Sequence, residues 1–374
     1  MQTTVQAAYI HIPFCLRRCH YCSFVSYDEK HILYIDHYLM ALQQEINEHP
    51  VSAPLNSLYI GGGTPSLLQP KQVKDLVDRF TLAPMCEVTM EANPGTLSHH
   101  KLTGYLQAGI NRLSIGIQSF NDDELGLLGR LHNAQEAQEA VLLAKAAGFR
   151  NINIDLMYGL PGQKTAAFRR SLRKALKLEP THLSLYALSL EENCQLWQQT
   201  ESGQIKSLSA DGAAVCYEEA GRLLHLGGYQ QYEISNWALP AFTCQHNLNY
   251  WQQGLWAAYG LAACAFNGRM RTVNEQDLKS YIRRINDSKS AVQDTEEIKT
   301  EDLLAEGLIL ALRLNTGADL EYFSAKYGLD VAVRYKKTIK QCCEAALMEQ
   351  QGALIRLTAR GRLLSNEVFW RFLP

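Results

Sequence analysis

The sequence has no long hydrophobic run, no marked excess of charge and no amino-terminal signal for export. None of its apolar segments approaches the roughly 20 residues that a membrane-spanning helix needs. The net charge of −2 gives no electrostatic basis for general nucleic-acid binding. Residues 1–6 include neither a basic stretch nor a long apolar one. These absences argue against an integral membrane protein and predict a cytoplasmic, globular protein with reduced cysteines.

One group of cysteines lies close together in the chain. Cys15, Cys19 and Cys22 form a Cys-x3-Cys-x2-Cys segment, and the rest of the ten cysteines are scattered. A cubane iron–sulfur cluster normally takes four cysteine ligands, so three thiolates leave one iron with an open coordination position. The spacing therefore predicts a [4Fe–4S] cluster at which a small molecule can coordinate.

Three other interpretations of these cysteines compete with the cluster. A structural zinc site needs a fourth ligand, for which His11 or His20 is available, but the chain has no second Cys-x2-Cys segment. Disulfides are disfavoured because no export signal is present. Simple burial of the three thiols is disfavoured because Arg17 and Arg18 lie between them.

Short β-rich segments alternate with helical patterns over the first 190 residues or so. The predicted strands are Ala8–Ile12, Ser57–Ile60, Glu87–Glu91, Arg112–Gln118, Asn151–Met157 and His182–Leu188. This alternation predicts a parallel sheet with helical crossovers. Six units are too few for a closed eightfold barrel, so an α/β fold with an open, partial barrel is expected. Residues 286–302 are polar and charged, and they are expected to form a surface connection.

Residues suited to ligand binding follow these predicted strands, where each strand ends. The cysteine segment follows the first strand, Gly-Gly-Gly-Thr-Pro (61–65) the second and Glu-Ala-Asn-Pro (91–94) the third. Gln118 closes the fourth strand, and Asp155 lies in the fifth. In β/α barrels the carboxyl edge of the strands is where sites are built. The sequence therefore predicts an active-site face at this edge.

Four polar residues near this edge are candidates for ligand binding: Glu91, Gln118, Arg130 and Asp155. Glu91 and Asp155 lie in apolar strands, where a carboxylate needs a hydrogen-bonding or charged partner. A salt bridge inside the barrel is the alternative role for Glu91, and Arg130 alone would ordinarily be a solvated helix residue. The triple glycine lets the backbone approach a ligand closely, although a plain tight turn explains it equally well.

Together these motifs resemble the radical S-adenosylmethionine (SAM) superfamily. The resemblance is carried by the cysteine segment, GGGTP (61–65), ExNP (91–94), IQSF (117–120) and DxxYGLPG (155–162). More narrowly, the chain is similar to the branch that contains oxygen-independent coproporphyrinogen III oxidase and the HemW-like haem chaperones. The resemblance covers essentially the whole chain. It implies a partial (β/α)6 barrel over residues 1–235, an aromatic-rich segment over 236–300 and a small winged-helix-like α+β domain over 301–374.

The resemblance also implies cofactors and their ligands. Cys15, Cys19 and Cys22 would hold the [4Fe–4S] cluster, and SAM would chelate the open iron through its amine and carboxylate. The residues implied for SAM binding are Tyr9, Gly62, Gly63, Thr64, Glu91, Gln118, Arg130 and Asp155.

Three features separate the two sub-branches. The oxidase has another cysteine two positions after the third cluster ligand, where this chain has Phe24, and it has an amino-terminal extension, whereas the first cluster cysteine here is residue 15. His-Asn-Leu-Asn-Tyr-Trp (246–251) is similar to the HNxxYW motif associated with haem binding in the chaperones. The resemblance therefore implies that His246 binds haem and that haem passes to an acceptor protein, including one at a membrane surface. Radical decarboxylation of coproporphyrinogen III is the alternative function, and a core histidine is the alternative role for His246.

The chain departs from the family pattern at residues 259–267. Ala262 and Cys264 stand where relatives have glycines, and Phe266 stands where they have a histidine. The added side-chain atoms would change any cofactor cavity that this segment approaches.

The cluster prediction is tested by removing each thiol. Replacing Cys15, Cys19 or Cys22 with Ala is expected to abolish the broad visible absorption and the bound iron of the anaerobically reconstituted protein, because each thiolate would hold one iron. Cys343→Ala is the matched control and is expected to leave both unchanged. Retention of the full iron content by the three variants would contradict the assignment.

Overall fold

Parallel strands alternate with helices in the first part of the chain, as the sequence predicts. The computed structural model describes residues 4–192, 194–206 and 208–374. The parallel strands are β1 (Ala7–Ile12), β2 (Leu55–Gly62), β3 (Leu82–Ala92), β4 (Arg112–Gln118), β5 (Asn151–Tyr158) and β6 (His182–Ala187). The helices among and after them are α1 (Ile35–Glu48), α2 (Pro70–Val77), α3 (His99–Gln107), α4 (Asp122–Leu127), α5 (Ala134–Ala147), α6 (Thr165–Lys177), α7 (Gln195–Glu201) and α8 (Ala210–Leu226). Every predicted strand is present, and the largest difference is that β3 begins at Leu82 rather than at Glu87.

Three further strands extend this sheet at its two edges. They are β7 (Gln230–Glu233), β8 (Asn236–Ala238) and β9 (Ala257–Tyr259). The pairing order is β7-β8-β6-β5-β4-β3-β2-β1-β9. β9 pairs in parallel with β1, and β8 pairs antiparallel to β6. Since β7 and β9 do not pair with each other, the sheet is open, and the predicted partial barrel is confirmed.

Side chains of the six parallel strands alternate between two environments. One set is apolar and fully buried in the main hydrophobic core; it includes Ile10, Ile60, Met90, Ile115 and Ile154. The other set is polar or aromatic and includes Tyr9, Tyr59, Glu91, Ser114 and Asp155. Because successive strand residues point to opposite faces, the apolar set packs under the helices and the polar set faces the inside of the barrel.

Helix α5 illustrates how local sequence sets an element's ends. The Asn133 side chain accepts hydrogen bonds from the backbone of Gln135 and Glu136, and Glu136 bonds back to the Asn133 backbone. This capping box satisfies the first free N–H groups of the helix. Gly148 ends the helix with φ 109°, a left-handed conformation that glycine adopts without strain.

The segment from 236 to 300 has more regular structure than the sequence predicts. It contains α9 (Gln245–Trp251), α10 (Leu278–Asn286) and the strands β10 (Cys264–Phe266), β11 (Met270–Asn274) and β12 (Val292–Glu297). β10, β11 and β12 form an antiparallel sheet in that order. The prediction of a surface connection over 286–302 is therefore wrong at β12. β12 is an edge strand that pairs with β11 alone, and its residues after Val292 are exposed. Such a strand can have a polar composition like that of a loop, which is why the sequence did not indicate it.

The carboxyl-terminal part is a small α+β unit with its own core. Its helices are α11 (Thr300–Arg313), α12 (Leu320–Tyr327), α13 (Val331–Arg334), α14 (Lys336–Glu344), α15 (Ala359–Leu363) and α16 (Ser365–Phe369). Its antiparallel strands are β13 (Ala318–Asp319), β14 (Met348–Gln351) and β15 (Leu354–Leu357), in the order β13-β15-β14. Leu304, Leu308, Ile339, Ile355 and Phe372 lie in its buried core. The small winged-helix-like α+β unit is confirmed, while the domain boundaries at 235/236 and 300/301 stay predictions.

No helix within the described ranges combines the length and the apolar character needed to cross a membrane.

Two helical glycines allow a test of the packing around β14. A methyl group at Gly361 would overlap the backbone oxygen of Leu347, whereas one at Gly221 would meet no heavy atom within 4 Å. We expect Gly361→Ala to lower the stability of the carboxyl-terminal unit by about 1–3 kcal/mol, as overpacking does. Gly221→Ala should raise stability by up to about 1 kcal/mol through helix propensity. Urea unfolding followed by tryptophan fluorescence measures both, and equal effects of the two variants would contradict the packing.

Candidate cluster and cofactor site

The cysteine segment is a loop after β1 that backbone hydrogen bonds hold in place. The Cys15 N–H donates to the Tyr27 oxygen at 2.8 Å, and the Tyr27 N–H donates to the Pro13 oxygen at 2.7 Å. Farther along, the His20 N–H donates to the oxygen of Leu128 at 3.0 Å, which ties the loop to the end of α4. The loop is thus closed on itself and anchored to the barrel.

The three thiols open into one cavity of about 440 Å³, which we call the cysteine cavity. All predicted site residues except Tyr9 and His246 line it: Cys15, Cys19, Cys22, Gly62, Gly63, Thr64, Glu91, Gln118, Arg130 and Asp155. None of the three cysteines is in a disulfide, and each is partly exposed. The structure therefore brings together residues that are up to about 140 positions apart in the chain.

The surroundings of the thiols suit an iron–sulfur cluster. The Thr64 hydroxyl donates to Cys15 Sγ at 3.6 Å, and Arg130 Nη1 donates to Cys19 Sγ at 3.4 Å. Such donors stabilise thiolate sulfur and tune a bound cluster. A Cβ at Gly63 would lie 3.0 Å from Cys15 Sγ and 2.7 Å from the Phe14 oxygen, so a side chain there would crowd the loop. Among the described residues, no group of three His, Cys, Asp or Glu side chains is arranged to hold a single metal ion.

The glycine run forms the cavity wall next to the cysteine loop. Gly62 has φ 116°, and a Cβ there would lie 2.7 Å from the His11 ring. Its N–H donates to Glu91 Oε2 at 3.1 Å. Both the backbone conformation and the close approach of His11 therefore require glycine at this position.

Glu91 is a partly buried carboxyl group between two donors. Tyr59 donates its hydroxyl proton to Glu91 Oε1 at 2.8 Å, and the Gly62 N–H binds the other oxygen. Burial raises the pKa of Glu91 to about 7, and the nearby Asp155 adds to the rise. The carboxyl group can therefore change its charge near neutral pH, beside the cysteine cavity.

Gln118 and Asp155 lie on adjacent strands of the cavity floor. Gln118 has φ 69° at an irregularity in the pairing of β4 with β5, an unusual conformation for a residue other than glycine. Asp155 accepts hydrogen bonds from Ser114 at 3.1 Å and Asn153 at 2.8 Å. Burial raises the pKa of Asp155, and these hydrogen bonds oppose the rise.

Arg130 connects the floor of the cavity to the cysteine loop. Besides its contact with Cys19, its Nη2 donates to Asn93 Oδ1 at 2.9 Å. Its Nε is buried and has no hydrogen-bond partner among the described residues. Arg130 is thus part of the site rather than a solvated helix residue.

Tyr9 lines a second cavity of about 600 Å³, which we call the aromatic cavity. The two cavities share Ser23, Phe24, Gly62 and Glu91. The walls of the aromatic cavity include Tyr250, Trp251, Trp256, Ala262, Cys264 and Phe266. The three residues at which the chain departs from the family pattern therefore line this cavity.

His246 lies behind the wall of the aromatic cavity. It is 1% exposed, with Nδ1 3.0 Å from Ser57 Oγ and Nε2 2.9 Å from the Tyr250 hydroxyl. Its ring is stacked on Tyr59 at 5.1 Å. Burial lowers the pKa of His246 to about 3, so the imidazole is neutral. The structure thus places His246 next to the cavity but separates it from the cavity by Tyr250.

Several lining residues were not predicted, although the sequence contains a signal for them. Tyr59, Asn93, Ser114, Met157 and Tyr186 also line the cysteine cavity. Four of them share the strand face of Glu91 and Asp155, and Asn93 follows β3 directly. Counting every second residue along each strand would have found the four strand residues.

The titration of Glu91 generates a prediction for SAM binding. Below about pH 7 the carboxyl group is protonated, and above that pH it is ionised and attracts cationic or hydrogen-bonding ligand groups. If SAM binds beside Glu91, as the resemblance implies, its affinity is expected to fall up to about tenfold between pH 8 and pH 6. Anaerobic equilibrium dialysis measures it. Glu91→Gln should remove this part of the pH dependence, and an unchanged slope in that variant would assign the titration to another group.

Two family models match the chain. The model described as Radical SAM superfamily matches residues 9–175, and the model described as HemN C-terminal domain matches residues 298–364. A structure of Escherichia coli coproporphyrinogen III oxidase (HemN), described as a radical SAM enzyme, superposes with a TM-score of 0.85 and 24% identity, covering 99% of this chain and 90% of that one. At this level of identity the structural likeness supports the fold alone.

Curated relatives match over nearly their full length. The protein named Heme chaperone HemW from Bacillus subtilis is 37% identical over 377 residues, which cover 99% of each chain. The protein of the same name from Escherichia coli is 34% identical over 383 residues, covering 98% of this chain and 97% of that one. The fold, the motifs and this end-to-end similarity establish that the chain belongs to the HemW family of the radical SAM superfamily.

Proposed function

We propose that this protein is a haem chaperone that binds haem, a [4Fe–4S] cluster and SAM and delivers haem to acceptor proteins in the cytoplasm or at a membrane surface. The observation that carries the proposal is the end-to-end similarity, at 31–37% identity, to proteins named Heme chaperone HemW. The cavities beside the cysteine loop support it, because their sizes fall within the range of about 300–1,000 Å³ that is usual for cofactor sites.

The proposed cluster and SAM site is the cysteine cavity. Cys15, Cys19 and Cys22 would hold the cluster, which when bound supplies an open iron position for the amine and carboxylate of SAM. The glycine run would face the methionine part of SAM. Glu91, Gln118, Arg130 and Asp155 would contact the rest of the molecule, and Tyr9 would support the site from the adjoining aromatic cavity.

The hydrogen bonds of His246 support its proposed role as a haem ligand. With the proton on Nδ1, the imidazole donates to Ser57 and its Nε2 lone pair faces Tyr250, which lines the aromatic cavity. A neutral imidazole with its other nitrogen held by a hydrogen bond is the usual form of a histidine ligand to iron. Binding of Nε2 to haem iron would replace its contact with the Tyr250 hydroxyl.

Two substitutions separate ligation from packing. His246→Ala is expected to shift the haem absorption maximum and weaken haem binding, because the iron loses its imidazole. Tyr250→Phe is expected to keep the wild-type haem spectrum, because it removes only the hydroxyl that covers Nε2. Titration with haem, followed in the Soret region, measures both. An unchanged spectrum in His246→Ala would remove the ligand assignment and leave the chaperone proposal standing.

Phe24 favours the chaperone over the decarboxylating oxidase. In that enzyme a further cysteine occupies the equivalent position, whereas Phe24 here is 67% exposed and borders both cavities. A phenyl group cannot bind iron or transfer a proton. The oxidase function therefore lacks one of its expected residues at the junction of the two cavities.

An anaerobic experiment distinguishes the two functions. The reconstituted protein is incubated with coproporphyrinogen III, SAM and a reductant, and in parallel it is loaded with haem and mixed with apomyoglobin. We expect no vinyl product, stable haem binding and transfer of haem to apomyoglobin. Catalytic formation of vinyl product would overturn the chaperone as the main function. Failure to bind haem would overturn it as well.

A further inference from the structure

The aromatic cavity has the walls of a site for a flat, apolar ligand. Tyr250, Trp256 and Phe266 form a row of contacting rings along it: Tyr250 meets Trp256 edge-on at a centroid distance of 4.8 Å, and Phe266 is tilted 39° to Trp256 at 5.2 Å. Leu310 of α11 also lines the cavity. Aromatic side chains offer large apolar areas with defined geometry, and a planar macrocycle packs well against them.

Among the described residues that line this cavity, one carries a cationic side chain. Arg271, on β11, lines it, and its Nη2 lies 2.6 Å from Glu306 Oε1. The guanidinium carbon also lies 5.9 Å from the centre of the Phe266 ring. Arg271 can therefore place a charge at the edge of the aromatic surface, where a ligand's acidic group would lie.

The Arg271–Glu306 ion pair also joins two parts of the fold. Arg271 belongs to the antiparallel sheet β10-β11-β12, whereas Glu306 is on α11, within the matched carboxyl-terminal domain. The two side chains are about one third exposed. Ion pairs that are this exposed typically contribute about 0–1 kcal/mol, so a ligand carboxylate can replace Glu306 at little cost.

We propose that the aromatic cavity is the haem site of the proposed chaperone and that Arg271 binds one haem propionate by exchanging it for Glu306. The assignment rests on the function proposed above. The macrocycle lies against the aromatic walls, and a carboxylate at its edge accepts a charged hydrogen bond from Arg271 in place of Glu306. Loading with haem then breaks this ion pair between α11 and β11.

The charge pattern distinguishes this ligand from a second SAM molecule. The amino-acid part of SAM is a zwitterion, which would bind Arg271 through its carboxylate and Glu306 through its ammonium group. A propionate instead competes with Glu306 for the same guanidinium. Neutralising Glu306 therefore has opposite effects on the two ligands.

The test measures haem affinity in three variants of the cluster-containing protein. Arg271→Gln is expected to weaken haem binding about tenfold or more, because a charged hydrogen bond is lost. Glu306→Gln is expected to tighten it about two- to fivefold, because the competing carboxylate is removed. Arg269→Gln is the matched control, since Arg269 forms an ion pair with Glu297 on the same sheet and does not line the cavity. Opposite signs for the first two variants cannot result from misfolding.

Haem dimethyl ester, which has no free carboxylate, completes the design. Wild type and Arg271→Gln are expected to bind the ester equally. Equal haem affinities for Arg271→Gln and Arg269→Gln, or weaker haem binding by Glu306→Gln, would overturn the proposal. If one of these two results were found while the wild type still bound and transferred haem normally, only the assignment of Arg271 and the aromatic cavity would fail. Failure of the wild type to bind haem would refute the proposed function as well.

Discussion

The parallel register of β1 to β6 is the constraint on which the rest of the structure depends. It brings six carboxyl ends to one edge, so that loops distant in the chain meet around the cysteine cavity. In this register, alternate residues of neighbouring strands share a face of the sheet. Ile10 and Ile60 pack under the helices, whereas Tyr9 and Tyr59 face the inside of the barrel. A shift of one residue in any strand would bury its polar set under helices and expose its apolar set.

The polar interior has a cost that hydrogen bonds offset. Glu91 and Asp155 are held by Tyr59, Gly62, Ser114 and Asn153, yet burial raises the pKa of both carboxyl groups. The hydrogen bonds within the protein therefore do not fully compensate for the hydration that the two carboxylates lose on folding. A cationic ligand would supply the favourable electrostatic interaction that the ionised carboxylates lack. Such incompletely compensated charges are typical of binding sites rather than of packed cores.

Much of the site was predictable from sequence because its motifs are local. The cysteine spacing, the glycine run and Asp155 each occupy a few consecutive residues at a strand end, and topology alone brings them together. The burial of His246 was not predictable, because it depends on Ser57 and Tyr59 of β2, almost 190 residues away. The strand β12 was missed because an exposed edge strand has the composition of a loop. The contribution of Glu306 and Leu310 to the aromatic cavity was not predicted, because these residues come from a different part of the chain than the aromatic-rich segment.

The hydrogen bond from Tyr250 to His246 has a consequence for metal selectivity. Imidazole readily binds copper, nickel and zinc ions, which compete for any accessible histidine. At 1% exposure, His246 is shielded from them by the Tyr250 side chain. A hydrated ion gains no apolar burial on entering the aromatic cavity and has little to offset the displacement of Tyr250. A metal ion carried in a large planar macrocycle gains apolar burial when the macrocycle enters the cavity. The Tyr250 side chain therefore favours a chelated metal over a free metal ion at His246.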